Sequence, residues 1–463
     1  MHESVTAQRT DVLQKLFEGY EGPVFSIRLW DGWCWVSSQR EKPVCGIVFN
    51  SAGGLQSLFV RPSEITLGEA FLSKDIDVEG DLFSVFDVAE HIFHGPRGQR
   101  RRVAEVAAGV LLGLGQWWKE GRLHSQRRDS QAISYHYDQP VEFFRPWLGE
   151  TLAYSCAYFR STDETIDAAQ HNKLELICKK LRLRKNERLL DIGCGWGSLI
   201  VYAARNHAVF AEGITISREQ ATVTGERIVS ERLGERCRVD LLDYRQAPTC
   251  LPTFDKLVSV GMYEHVGLAN LGRYFGAARH MLRPGGVFLN HGIARSRVSG
   301  ADNRSFLDGI LVPFLRDVLK LRRPRNSSFI DKYVFPDGDL VTISQTLLAA
   351  ESAGFEVRDV ENLREHYELT LRRWVDGLRA NAATLLKSVP EFTYRIWLLY
   401  MAGSAAAFKR GDIGVYQTLL SRPDQGKSGL PLNRDDWYAS ELTDRKECRA
   451  PSRVSVTTMN GSC

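Results

Sequence analysis

The residues with chemistry to offer gather around one turn. In Leu189-Leu190-Asp191-Ile192-Gly193-Cys194-Gly195-Trp196-Gly197 a short apolar run ends in an acid and then in glycines at alternate positions. Glycine there permits a tight reversal and lets backbone N–H groups approach a ligand with no Cβ in the way. That suits a ligand held at the carboxyl end of a strand, although ordinary turns use the same residues. No Walker lysine or serine follows, and the spacing is shorter than the dinucleotide fingerprint, which argues against both of those ligand classes. Cys156 invites a nucleophile reading, but no neighbour in the sequence supplies a base, and a backbone role is the other reading. Glu264 and His265 suggest metal ligands, but adjacent residues at a strand end point apart and no third ligand has suitable spacing, so no metal is expected. His291 alone reads as a core histidine; its place after a strand, beside the cleft, makes it a site candidate.

These residues need a scaffold that brings strand ends together. Ser198 to Ala204 continues from the glycine turn with helical character, and Val209 to Ser217 reads as a second strand that ends at Thr215 and runs into a helix at Arg218-Glu219-Gln220. Glu212, three residues before Thr215, faces elsewhere by alternation or is a surface charge. Asp243 follows a third strand, Phe254 to Val260 is a fourth and Gly285 to His291 a fifth, with helices between. That alternation predicts an α/β fold with a Rossmann-like, doubly wound parallel sheet.

A chain of 463 residues with 43% hydrophobic residues has room for two or three domains with real cores. A net charge of +4 is too small to argue for nucleic acid, and none is expected. Nine cysteines without a C-x-x-C spacing suggest reduced thiols in a cytoplasmic protein. The opening Met1-His2-Glu3-Ser4 does not read as a signal peptide. No stretch reaches the roughly 18 apolar residues of a spanning helix, so any lipid contact is expected to be peripheral.

Residues 1–95 read as a smaller α+β unit. It has strands at Pro23 to Gly32, Val44 to Phe49 and Leu58 to Val60, then a short strand and a helix between Leu67 and Phe93. Residues 96–131 form a basic linker, Arg97 to Arg102, with an apolar helix to Trp118, a composition suited to anionic lipid or to a solvated connector. Residues 132–422 hold the sheet, with Leu371 to Leu420 read as helical, and 423–463 read as a polar, partly disordered tail.

The turn and its strand resemble those of class I S-adenosylmethionine (SAM) methyltransferases. Further segments narrow the resemblance: Tyr154-Ser155-Cys156-Ala157-Tyr158-Phe159, Gly213-Ile214-Thr215-Ile216-Ser217-Arg218-Glu219-Gln220, Asp243-Tyr244-Arg245, Gly261-Met262-Tyr263-Glu264-His265-Val266-Gly267 and Lys332-Tyr333-Val334-Phe335-Pro336-Asp337-Gly338. Together, from about Tyr135 to Ser421, they look like the cyclopropane-fatty-acyl-phospholipid synthases and mycolic acid cyclopropane synthases. The resemblance implies that Asp191, Gly193 and Gly195 hold the amino-acid part of SAM. It implies that Thr215 stands where an acid usually meets the ribose, and that Tyr137, Tyr154, Ser155, Ser217, Gln220, Asp243 and Tyr244 complete the cofactor site. Gln139-Pro140-Val141 and Leu242 depart from the family pattern, which bears on cofactor closure and on one adenine contact.

Methyl transfer to an alkene needs no base at first, because the sulfonium is already activated. The carbocation that follows must lose a proton before water reaches it, so the site must be dry and hold a base. The resemblance implies a bound bicarbonate held by the Cys156 and Ile293 backbones and the side chains of Glu264, His291 and Tyr367. It implies an N-terminal lipid-binding domain; a dimerisation module (a homodimer) or a scaffold module is the alternative. The substrate implied is the acyl chain of membrane phospholipid at the inner face of the membrane, converted to a cyclopropane. A methyl-branched or methylene product, or a lipid-binding protein without activity, are the other readings. Extra residues between Ala294 and Ile330, about 296–327, suggest a lid over acyl chain or membrane, or a helix docked on the domain's own core.

Overall fold

The computed structural model describes residues 2–54, 63–94, 139–296, 329–334 and 340–437. The first unit begins with α1 (His2–Leu16), then β1 (Phe25–Arg28), β2 (Cys34–Val36) and β3 (Cys45–Phe49). In β1 the alternation of Phe25 and Ile27 inward with Ser26 and Arg28 outward buries one face of the sheet. Next come α2 (Glu64–Leu72), β4 (Ile76–Gly80) and α3 (Ser84–His94), and the sheet order is β2-β1-β3-β4. The strand and helix expected between Leu67 and Phe93 are β4 and α3. Helix α2 was not expected; Ser63 and Thr66 start it with a reciprocal capping box. The strand expected at Leu58 to Val60, the linker at 96–131 and the insert at 297–327 lie outside the described residues.

The second unit runs through α4 (Val141–Leu148), α5 (Ile166–Leu181), β5 (Arg188–Ile192), α6 (Ser198–His207), β6 (Phe210–Thr215), α7 (Arg218–Ser230), β7 (Cys237–Leu241), β8 (Phe254–Val260), α8 (Leu271–Met281) and β9 (Leu282–Arg295). It ends with α9 (Ile343–Ser352), β10 (Glu356–Asn362), α10 (Arg364–Ala380), α11 (Glu391–Arg410) and β11 (Ile413–Ser421). The sheet order is β10-β11-β9-β8-β5-β6-β7. The strands from β5 to β9 are parallel, and β11 enters antiparallel between β9 and β10. Leu189, Val258 and Leu289 face α5 and α6, while Leu190, Leu257 and Phe288 face α8 and α9. Both faces are thus buried, as a parallel sheet requires.

Two boundaries differ from the sequence reading. Leu371 to Leu420 is not helical throughout: Gly411 adopts φ +76°, ends α11, and lets β11 return into the sheet. The segment Pro423–Trp437 is not a disordered tail. Trp437 is buried in the main core, Asp436 accepts from Arg182 at 2.5 and 3.0 Å, and Arg434 pairs with Asp359 at 2.6 Å. Residues 438–463 lie outside the described residues. Glu212 does face away from the glycine turn, but it is a buried group and not a surface charge: Arg238 pairs with it at 2.7 Å across β6 and β7.

The two units share a core in which Phe71, Leu72 and Leu82 of the first join Trp147, Trp374, Trp397 and Phe408 of the second. Buried Arg395 of α11 lies over the Phe71 ring and donates to the backbone oxygens of Phe71 at 2.8 Å and Ile76 at 3.3 Å.

Candidate active site

The glycine turn leaves β5 at the centre of the sheet. Gly193 has φ +84° and a Cβ there would meet Met262 at 2.7 Å, while Gly195 has φ +54° with open space where a side chain would point. Both glycines are required, the first by crowding and the second by conformation beside an open cleft. The Gly193 and Cys194 amides donate to the Ile214 oxygen at 2.9 and 3.0 Å, which locks the turn to β6.

That cleft is open to solvent and is lined by Tyr154, Ser155, Asp191, Gly193, Gly195, Thr215, Gln220, Asp243 and Tyr244. Ser217 does not line it; its hydroxyl caps α7 by accepting from the Gln220 amide at 3.3 Å. The Thr215 hydroxyl donates to the Gln220 side chain at 2.8 Å, fixing the end of β6. Asp243 is held by Arg245, which donates to it at 2.9 and 2.6 Å. Leu242, the residue that departs from the family pattern, also lines the cleft. Tyr137 lies outside the described residues.

Asp191 is buried, its Oδ1 has no hydrogen-bond partner among the described residues, and burial raises its carboxyl to about 7. A buried acceptor left open at the mouth of a glycine turn fits an ammonium group such as that of SAM. Beside it stands Lys173 of α5, which sequence reasoning passed over because a helical lysine reads as surface charge. It is fully buried, burial lowers it to about 8, and it donates to the Ser155 hydroxyl at 2.8 Å. Gln170, one turn earlier, donates to the oxygens of Ala153 and Ser155 at 3.1 and 3.0 Å. Two polar residues on the inward face of α5 therefore hold the Tyr154–Cys156 segment, a signal legible in retrospect as polar positions interrupting an apolar stripe.

The five residues assigned to anion binding come from four elements or segments. Cys156 is buried, its Sγ lies 3.2 Å from the Ala157 oxygen, and burial drives its thiol far above the ordinary range, which argues against a nucleophile. Glu264 follows β8; its Oε1 accepts the Ile293 amide at 2.8 Å, Oε2 is buried without a partner among the described residues, and burial raises the carboxyl to about 7. The Ile293 amide is thus engaged by Glu264, while the Ile293 oxygen accepts from Tyr263 at 2.8 Å. His291, two residues before Ile293 and on the same face of β9, is buried with its Nε2 unpartnered among the described residues. Burial, with Lys173 and Lys180 nearby, lowers it to about 3. Tyr367 of α10 packs against Phe408 and Trp374. Around this group Phe144, Trp147, Tyr154, Trp374 and Trp397 form a continuous aromatic wall. His265 turns to the cofactor cleft, which the Glu264 side chain does not line.

Comparison with known proteins agrees with this geometry. The sequence profile described as mycolic acid cyclopropane synthetase matches residues 124–418, and one described as a domain of unknown function matches 12–92. The chain is 39% identical over 82% of its length to a probable fatty acid methyltransferase of Pseudomonas putida, covering 88% of that protein. It is 34% identical over 65% of its length to the cyclopropane-fatty-acyl-phospholipid synthase of Escherichia coli, covering 70% of that protein. The structure of the mycolic acid cyclopropane synthase CmaA1 complexed with SAH and CTAB matches with TM-score 0.56 and 31% identity, over 63% of this chain and 97% of that one. Among the described residues no helix is long and apolar enough to cross a membrane. With its class I sheet and cofactor cleft, the chain belongs to the mycolic acid cyclopropane synthetase family of SAM-dependent methyltransferases.

Proposed function

We propose that this protein transfers a methylene unit from SAM to a cis double bond in the acyl chain of a membrane phospholipid, closing a cyclopropane ring. The observation that carries the reading is two buried groups without partners among the described residues, Glu264 Oε2 and His291 Nε2, with Ile293, whose amide Glu264 accepts, packed against the cluster that contains Trp147, Trp374 and Trp397. The π electrons of the alkene form a bond to the sulfonium methyl carbon, and the C–S bond breaks to release S-adenosylhomocysteine. The positive charge now lies on the adjacent chain carbon. Loss of a proton from the former methyl carbon leaves the electron pair that closes the ring. The aromatic faces favour the cation, and burial keeps water from it.

The open Glu264 oxygen and the His291 nitrogen form a donor and acceptor set that fits bicarbonate. Bicarbonate, when bound, supplies the base for that proton. Glu264 in its ionised form is suited to accept a hydrogen bond from such an ion, and the Tyr367 hydroxyl to donate one. Asp191 and Lys173 are suited to the two charged ends of the SAM amino-acid moiety. We assign the N-terminal unit and the basic sequence Arg97 to Arg102 to peripheral contact with anionic lipid at the cytoplasmic face.

A second reading, C-methylation that leaves a methyl branch or a methylene group, draws on the similarity to the Pseudomonas putida protein. Purified protein with labelled SAM, bicarbonate and vesicles of monounsaturated phospholipid separates the readings by proton NMR of the acyl chains. Upfield ring protons are the expected result. Label in lipid with olefinic or branched-methyl signals moves the function to the second reading, and absence of label in lipid overturns both.

A further inference from the structure

A line of buried polar contacts behind His291 has no part in the reaction as described above. Lys180, in the last turn of α5, is 1% exposed, forms an ion pair with Glu361 of β10, and donates to Oε1 of Gln417 at 2.7 Å. Gln417 lies directly opposite His291 in the antiparallel register of β11 and β9, and its Nε2 stands 3.2 Å from His291 Nδ1.

The hydrogen-bonding capacity of each group decides the direction of the whole line. An ammonium only donates, so the Gln417 oxygen must face Lys180 and its NH2 group must face His291. An NH2 group also only donates, so Nδ1 must offer a lone pair. The imidazole proton is then on Nε2, the buried nitrogen that has no partner among the described residues. We propose that Lys180 and Gln417 are positioning residues that hold His291 as its neutral Nε2–H tautomer, so that this side of the reaction site presents a fixed donor and never a proton acceptor. The inference rests on the reading of His291 as part of the reaction site.

The electrostatic surroundings act in the same direction. A second proton on the ring would set Nδ1–H against the Gln417 NH2 group. The cations of Lys173 and Lys180, both on α5, oppose it further, and burial lowers the ring to about 3. Burial lowers Lys180 below the ordinary lysine value and Arg434 adds to this, while the ion pair with Glu361 and the nearby Asp359, both of β10, favour its charged form. The register supplies the geometry: a shift of one residue in β11 would turn Gln417 to the other face of the sheet.

The test is nitrogen NMR on the full chain labelled at histidine, without ligand, the His291 signal being assigned by its loss in His291→Gln. The expected pattern is a pyrrole-type Nε2 and a pyridine-type Nδ1, unchanged as pH falls to about 5. An Nδ1–H pattern, a mixture of tautomers, or titration near the ordinary histidine value overturns the proposal. Gln417→Glu keeps the shape but presents an acceptor to Nδ1. It is expected to convert His291 to the Nδ1–H or doubly protonated form and to lower kcat on the order of 10²-fold, with KM for SAM unchanged. Conversion of the tautomer with undiminished kcat overturns the positioning role. If Gln417→Glu does not fold, the wild-type spectrum still decides. A wild-type protein that shows the Nε2–H pattern but transfers no label to lipid supports the fixed tautomer and overturns the proposed function.

Discussion

Oε1 of Glu264 accepts the Ile293 amide at 2.8 Å while Oε2 of the same carboxyl is buried without a partner among the described residues. One hydrogen bond from β9 therefore fixes the carboxyl's orientation, and burial does the rest by raising it from 4.5 to about 7. The folded chain holds a proton in that interval that the unfolded chain has released. The stability contributed by the group is full below about pH 4.5 and is lost as pH rises to about 7. Glu264→Gln keeps an acceptor for Ile293 and removes the titration. Denaturant melts of ligand-free protein should show that the loss of stability across this interval shrinks by on the order of 3 kcal/mol relative to wild type. Turnover should fall on the order of 10²-fold.

Lys173→Met tests the cation in the cofactor cleft. The methionine fills the same inward position on α5, but the donor to Ser155 and the charge beside Asp191 are gone. Affinity for S-adenosylhomocysteine, measured by calorimetry, should fall about 10- to 100-fold with the far-ultraviolet spectrum unchanged. Unchanged affinity would confine the lysine to holding Ser155.

Alkylation followed by mass spectrometry should mark Cys34 and Cys250, which are exposed, and spare Cys156, Cys178 and Cys194 in the native chain. The buried thiols lie well above the ordinary cysteine range and carry little thiolate. Rapid native labelling of Cys156 would reopen its reading as a reactive group.

Arg395→Met removes the clamp between the two units. Its guanidinium lies 3.9 Å from the Phe71 ring centroid and bonds two backbone oxygens of the first unit, which are left without that donor in the variant. Urea unfolding should show a loss of roughly 2–3 kcal/mol, and separation of the transition into two steps would show that this contact couples the units.

The glycine turn was legible because its requirement is local: φ above zero at Gly193 and Gly195 and an acid at the strand end are written in consecutive residues. The central strands themselves were legible from the same kind of signal, apolar runs separated by helices, whereas their order in the sheet was not. Gln417, Lys173 and Lys180 were not legible, because their roles depend on partners far away in the chain. Gln417 was hidden twice, since the run that became β11 continued the apolar pattern of α11 and only Gly411 marked the break. The polar composition after Ser421 likewise concealed Trp437, which is buried in an apolar cluster and has Lys180, Arg182 and Arg434 around its ring.

Lys180 Nζ lies 5.5 Å from the centre of the Trp437 ring, and the same ammonium donates to Gln417. The strap from Pro423 to Trp437 thus works as a stopper: it keeps bulk water from an ammonium whose direction of donation determines where a ring proton resides. Damage to this outer segment, by cleavage or by loss of the indole, would be felt first as a change in imidazole protonation and only afterwards as a loosening of the sheet.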